Sequence, residues 1–158
     1  MTKIYLLTVL CSLFFISCNC NNSSKCNKES EECKTTKKVE TMCNEKEKND
    51  IAQTIEYYIE GGRQANSKIT AKAFSETATM SWSENGRLKS VPISVLYEIV
   101  DGGKPASASY QITDCNIESS IAIVRIESQF GDAKYTDMFT LVKDGSEWKI
   151  ISKIYHAK

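Results

Sequence analysis

The sequence predicts an α+β domain, helices first and then a long antiparallel meander. Apolar residues recur at helical spacing over 51–62 and again over 93–100. From Ser107 onward, four runs of strand character follow one another with only short turns between them. Asn85-Gly86 and Asp144-Gly145 are strong hairpin signals that fix two chain reversals. A curved antiparallel sheet wrapped around N-terminal helices makes a cone with an internal pocket, a common place for a small ligand.

Each element has its own signal. Asp50 and Gln53 are placed like a capping box, which starts a helix at Ile51. Ile51, Ile55, Tyr58, Ile59 and Gly62 share one face of it, and Gly61-Gly62 ends it. A short second helix is expected from Ser67 or Ile69 to Phe74. Ala78, Met80 and Trp82 alternate with polar residues, and the chain returns over 87–91 after the Asn85-Gly86 turn. Pro92 stands at a third helix start, and Ile93, Leu96, Tyr97 and Val100 form its apolar face before Gly102-Gly103. Strands are expected at Ser107–Glu118, Ile121–Phe130, Lys134–Lys143 and Glu147–His156. A tight turn at Asp144-Gly145 pairs Leu141 with Trp148, Phe139 with Ile150, Asp137 with Ser152 and Tyr135 with Ile154. All eight would then share one face.

The 158 residues divide into three stretches. Residues 1–17 carry Lys3 and then an apolar run of signal-peptide length, too short to span a bilayer. Residues 18–49 hold few apolar residues besides cysteine and many interspersed lysines and acids, and are expected to be a disordered tether. Residues 50–158 are the domain. Cys20, Cys26, Cys33 and Cys43 in the tether lack zinc-ligand spacing, and an oxidising compartment would allow them to pair. Cys115 is expected to be a small buried hydrophobe. With 20 basic and 20 acidic side chains, the chain has no basic field for a nucleic-acid backbone.

Two family resemblances rest on specific residues. Leu13-Phe14-Phe15-Ile16-Ser17-Cys18 resembles the lipobox of bacterial lipoproteins, with Phe15 departing from the usual leucine. The resemblance implies a lipid on Cys18, secretion across the inner membrane, and anchoring in the bacterial envelope (periplasm or outer membrane). Tyr58-Ile59-Glu60-Gly61-Gly62, Ala73-Phe74, Asn85-Gly86-Arg87-Leu88, Tyr135-Thr136-Asp137 and the closing run from Asp144 to His156 resemble the putative lumazine-binding family. That family belongs to the nuclear transport factor 2 like superfamily. The resemblance implies the cone-shaped, cystatin-like fold and a homodimer packed sheet to sheet. It implies no reaction, because the superfamily contains isomerases, cyclases and dehydratases beside non-catalytic binding domains.

The candidate site follows from the inward faces. Asp137 lies between Tyr135 and Phe139, opposite Ser152, where an apolar setting would suit a general acid or base. His156, the one histidine, shares its strand face and could pass a proton. Asp137 and His156 are thus the candidate catalytic pair. Tyr58, Trp82, Tyr135, Phe139 and Ser152 are the candidate ligand-binding residues. Neither a cofactor nor a metal is expected, since no phosphate-binding glycine loop, serine elbow or histidine-rich motif occurs. The function expected first is non-catalytic binding of a small apolar or aromatic molecule, or a partner, by a membrane-anchored domain. The alternatives are acid–base catalysis through Asp137 with His156 or a tyrosine, and structural dimerisation through the outer face bearing Thr136, Met138, Thr140 and Val142.

Overall fold

The structure, a computed structural model, describes the backbone of residues 29–158 and the side chains of residues 44–158. The expected signal peptide, the lipid site Cys18, and the side chains of Cys20, Cys26, Cys33 and Cys43 lie outside the described residues. So does the tether up to residue 28.

Helix α1 spans Glu29–Gln64. It begins well before Asp50, so Asp50 is no N-cap; it sits inside the helix and receives Lys46 Nζ at 2.5 Å. The residues from 29 to 49, expected as a disordered tether, are helical. Their glutamates and lysines are good helix formers, and one of them is tied to the sheet. Glu47 accepts from Trp148 Nε1 at 2.8 Å and from Lys143 Nζ at 2.5 Å.

The expected face is buried: Ile51, Ile55 and Ile59 are fully enclosed, with Tyr58 beside them. Gly61 and Gly62 do not end the helix. They permit close approach, because a Cβ on Gly61 would lie 2.5 Å from the Thr70 backbone nitrogen, and one on Gly62 would lie 2.4 Å from the Phe130 ring. The helix stops after Gln64, where Ala65 takes a left-handed φ of 50°.

The remaining elements are α2 (Ser67–Thr70), a 3-10 turn (Ala71–Ala73), β1 (Phe74–Glu84), β2 (Arg87–Pro92), α3 (Ser94–Asp101), β3 (Ala108–Glu118), β4 (Ile121–Phe130), β5 (Ala133–Asp144) and β6 (Glu147–Ala157). Asn66 caps α2 by accepting from the Lys68 amide at 3.1 Å. Pro92 ends β2 instead of opening α3, and Gly102 and Gly103 close α3 as expected.

The six strands form one curved sheet in the order β2-β1-β6-β5-β4-β3. All pairs are antiparallel except β1 with β6, which is parallel. The meander β3–β6 was legible, whereas the parallel junction was not. The core lies between α1 and the sheet face carrying Val124, Ile126, Phe139, Leu141, Trp148 and Ile150, all essentially inaccessible. Cys115 packs half-buried against that core, and burial pushes its thiol pKa up.

The register of β5 and β6 differs from expectation in a way that decides the site. Leu141 pairs with Ile150, but Thr140 pairs with Ser152, so Ile151 is an extra residue in β6. Such a bulge inverts the side-chain alternation. Trp148 and Ile150 point inward before it; Lys153 is buried after it, and Ile154 is half exposed. The turn also falls one residue later than expected, at Gly145-Ser146 between the paired Asp144 and Glu147, so Leu141 meets Ile150 and not Trp148. Turn and bulge together put Asp137 opposite Tyr155, not Ser152, and Tyr135 opposite Ala157, not Ile154. The expected single face of eight residues does not exist.

Candidate functional site

Asp137 is fully buried on the inward face of β5. A carboxylate there is costly unless its oxygens are engaged. Both are. Ser128 Oγ, from β4, donates to Oδ2 at 2.6 Å. Lys153 Nζ, brought inward by the bulge, donates to Oδ1 and forms an ion pair with it.

The ammonium of Lys153 lies over three aromatic rings, 4.5 Å from the centroid of Tyr155, 5.3 Å from Tyr58 and 5.8 Å from Phe139. Burial holds its pKa below the ordinary lysine value, and the charge of Asp137 opposes that shift. Cation–π contact and the carboxylate together keep an ammonium where water cannot solvate it.

Beyond Lys153 opens a cavity of about 250 Å³ between α1, α3 and the sheet. Tyr58, Phe130, Tyr135 and Tyr155 form its aromatic walls, and Met80, Leu96 and Val100 add aliphatic surface. The rings meet mostly edge to face: Tyr58 contacts Phe130 at 5.5 Å, and Tyr135 contacts Tyr155 at 6.0 Å. Burial first, and then the charge of Asp137, raise the Tyr58 pKa well above its usual value, so it stays a neutral phenol. Burial also raises the Tyr155 pKa. Lys104 and Ile99 lie at the mouth, both exposed.

The expected site residues separate. Tyr58 and Tyr135 line the cavity. Phe139 lies beneath the Lys153 ammonium, fully buried and outside the cavity lining. Trp82 supports the wall by stacking on Tyr155 at 5.6 Å. Ser152 is on the other sheet face, paired with Thr140, and His156 is exposed there, paired with Thr136. The bulge moved both. Asp137 is close to the cavity but does not line it, because Lys153 intervenes. Lys153 and Tyr155 were missed, since regular alternation directs them outward. Five alternating residues after a tryptophan anchor give no warning of an extra one.

Residues 46–156 match the family described as "Putative lumazine-binding". The chain belongs to that family. Its fold is that of the nuclear transport factor 2 like proteins. One such protein of unknown function, from Shewanella baltica, is 32% identical, with a TM-score of 0.68 over 72% of this chain and 94% of its own. A "Putative Scytalone Dehydratase" from Novosphingobium aromaticivorans has 18% identity and a TM-score of 0.61 over 75% of this chain and 88% of its own. At that identity it shares the fold alone. The "Aldolase FrzH" of a Cladobotryum species is 25% identical over 110 residues, 68% of this chain and 88% of its own.

Proposed function

We propose that this family member holds a small molecule, largely apolar and of ring dimensions, in the cavity between α1, α3 and the sheet. The observation that carries this is the buried Lys153 ammonium at the inner end of an otherwise aromatic and aliphatic chamber. Pockets of this composition use a few polar groups to orient a mainly apolar ligand. Tyr58 and Tyr135 serve as walls, Lys153 as the polar anchor, and Asp137 as the residue that positions Lys153.

A panel of one- and two-ring aromatic compounds, lumazine among them, tests this by thermal shift on the full chain. A ligand at a hundred times its Kd adds about 2.7 kcal/mol of stability. No shift with any compound, together with a cavity filled by side chains in an experimental structure, would overturn the proposal.

The domain's place in the cell is part of the same proposal: an envelope lipoprotein held through Cys18. The support is the apolar run ending in Ser17-Cys18. Cys18→Ser should release the chain from membranes, and an unchanged distribution would refute the anchor. A homodimer through the outer sheet face is supported by Ile121, Ile123, Met138 and Ile154, each about half exposed there. Scattering mass of wild type against Ile123→Lys decides it, since a dimer should dissociate and a monomer should not change.

A second reading, catalysis, has two observations in its favour: a lysine desolvated beside a carboxylate, and the kinship with a protein named an aldolase. In that case the acting group is Lys153, with Asp137 behind it. His156 is too far round the sheet to share in the step.

A further inference from the structure

Taking the cavity as a binding site, as proposed above, we infer that its ligand is a monoanion: one or two fused rings bearing a carboxylate, enolate or phenolate oxygen that meets Lys153.

The polar lining is one-sided. Lys153 and the phenols of Tyr58, Tyr135 and Tyr155 stand at the inner end, and Lys104 stands at the mouth; among the described residues no aspartate or glutamate lines the chamber. Asp137, the nearest carboxylate, is sealed off with each oxygen taken, one by Ser128 and one by Lys153. A ligand amine or amidinium would find no anion to pair with. An oxygen anion would find several donors.

Those donors are not spent on the protein. An ammonium has three N–H groups, and Lys153 uses one on Asp137, the rest facing ring surfaces. Tyr58 is 5% exposed, yet among the described residues its hydroxyl has no hydrogen-bond partner. Neither has that of Tyr135 or Tyr155. The rings of Tyr135 and Tyr155 meet at 6.0 Å, and those of Tyr155 and Tyr58 both lie against the Lys153 ammonium. These hydroxyls are not sealed in: among the described residues the buried side-chain polar atom without a partner is Thr70 Oγ1, outside the chamber lining. Accessible donors left unspent on the protein are the kind of polar group by which a pocket orients its ligand. Neutral phenols beside an ammonium form the kind of donor cluster that stabilises an oxyanion in a water-poor site.

Charge and size agree. Lys153 and Asp137 cancel, so a ligand carboxylate leaves one negative charge, and Lys104 at the rim balances it. The volume of about 250 Å³ falls between a cavity of about 150 Å³ that takes benzene and the roughly 300 Å³ at which drug-sized pockets begin. That span corresponds to one or two rings.

The test uses a matched pair, 2-naphthoate and naphthalene-2-carboxamide, with the full chain and titration calorimetry. The acid should bind at least ten-fold more tightly than the amide. Lys104→Met, a surface change that leaves the core intact, should reduce that preference several-fold. The paired change Asp137→Asn with Lys153→Met, which leaves no buried charge unpartnered, should abolish it while amide binding persists. Equal affinity for the two compounds would overturn the inference and leave the cavity as a binding site. A preference untouched by both variants would put the acid elsewhere and also overturn it. Binding of neither compound would sink the inference and the binding proposal together.

Discussion

Lys153→Met is the sharpest probe of the buried ion pair. Methionine keeps the unbranched stem and removes the ammonium. Asp137, with no solvent access, would be left with Ser128 as its one donor. Removing one partner of a buried pair costs about 3–5 kcal/mol, because the remaining charge is uncompensated. A domain of this size has roughly 5–15 kcal/mol in total. The loss is therefore about a fifth of the stability or more, and at about 4 °C per kcal/mol the melting temperature should fall by roughly 12 °C or more. Asp137→Asn added to Lys153→Met should recover much of the loss, giving a coupling energy above about 1 kcal/mol in a double-mutant cycle. Urea melts of the wild type, the two single variants and the double variant measure this. A loss below about 1 kcal/mol and no coupling would refute a buried, mutually dependent pair.

Other outcomes follow from the packing. Gly→Ala inside a helix ordinarily gains about 1 kcal/mol, but Gly62→Ala should lose roughly 1–3 kcal/mol by overpacking the Phe130 ring and should weaken binding in the cavity; chemical denaturation and ligand titration check both. Glu47→Gln should remove an acid-sensitive contribution. Lys143 and then Trp148 hold the Glu47 carboxyl below its ordinary 4.5, so its stabilisation is present above that value and is lost as pH falls through the depressed folded pKa. The variant's melting temperature should accordingly differ from wild type at pH 7 and converge with it in acid. Deleting Ile151 should leave a folded domain, because it restores regular alternation with Lys153 still inward. Deleting Ile154 should not, because it turns Tyr155 out of the aromatic cluster. Circular dichroism melts of the two deletions give the ranking.

Much of the fold was legible because burial leaves a period in the sequence. Ile51, Ile55, Tyr58 and Ile59 follow a helical face, and Val124, Ile126, Phe139 and Leu141 follow strand faces, and all are buried. What escaped depends on partners far along the chain. The helix begins before Asp50, and the tie holding that part is Glu47 to Trp148, 101 residues away. The parallel pairing of β1 with β6 has no local signature at all. For the site, Tyr58 and Tyr135 could be placed from their own elements. Lys153 could not, since a single extra residue at Ile151 decides whether Lys153 or Ser152 points inward. A lysine two residues from a bulge looks like any solvent-facing lysine until the register is known.

The most direct measurement is an experimental structure of the full chain soaked with 2-naphthoate. Ligand density among Tyr58, Tyr135 and Tyr155, with a carboxylate oxygen within hydrogen-bonding distance of Lys153 Nζ, is the expected result. A chamber closed by its own side chains, or Lys153 turned away toward solvent, would contradict it.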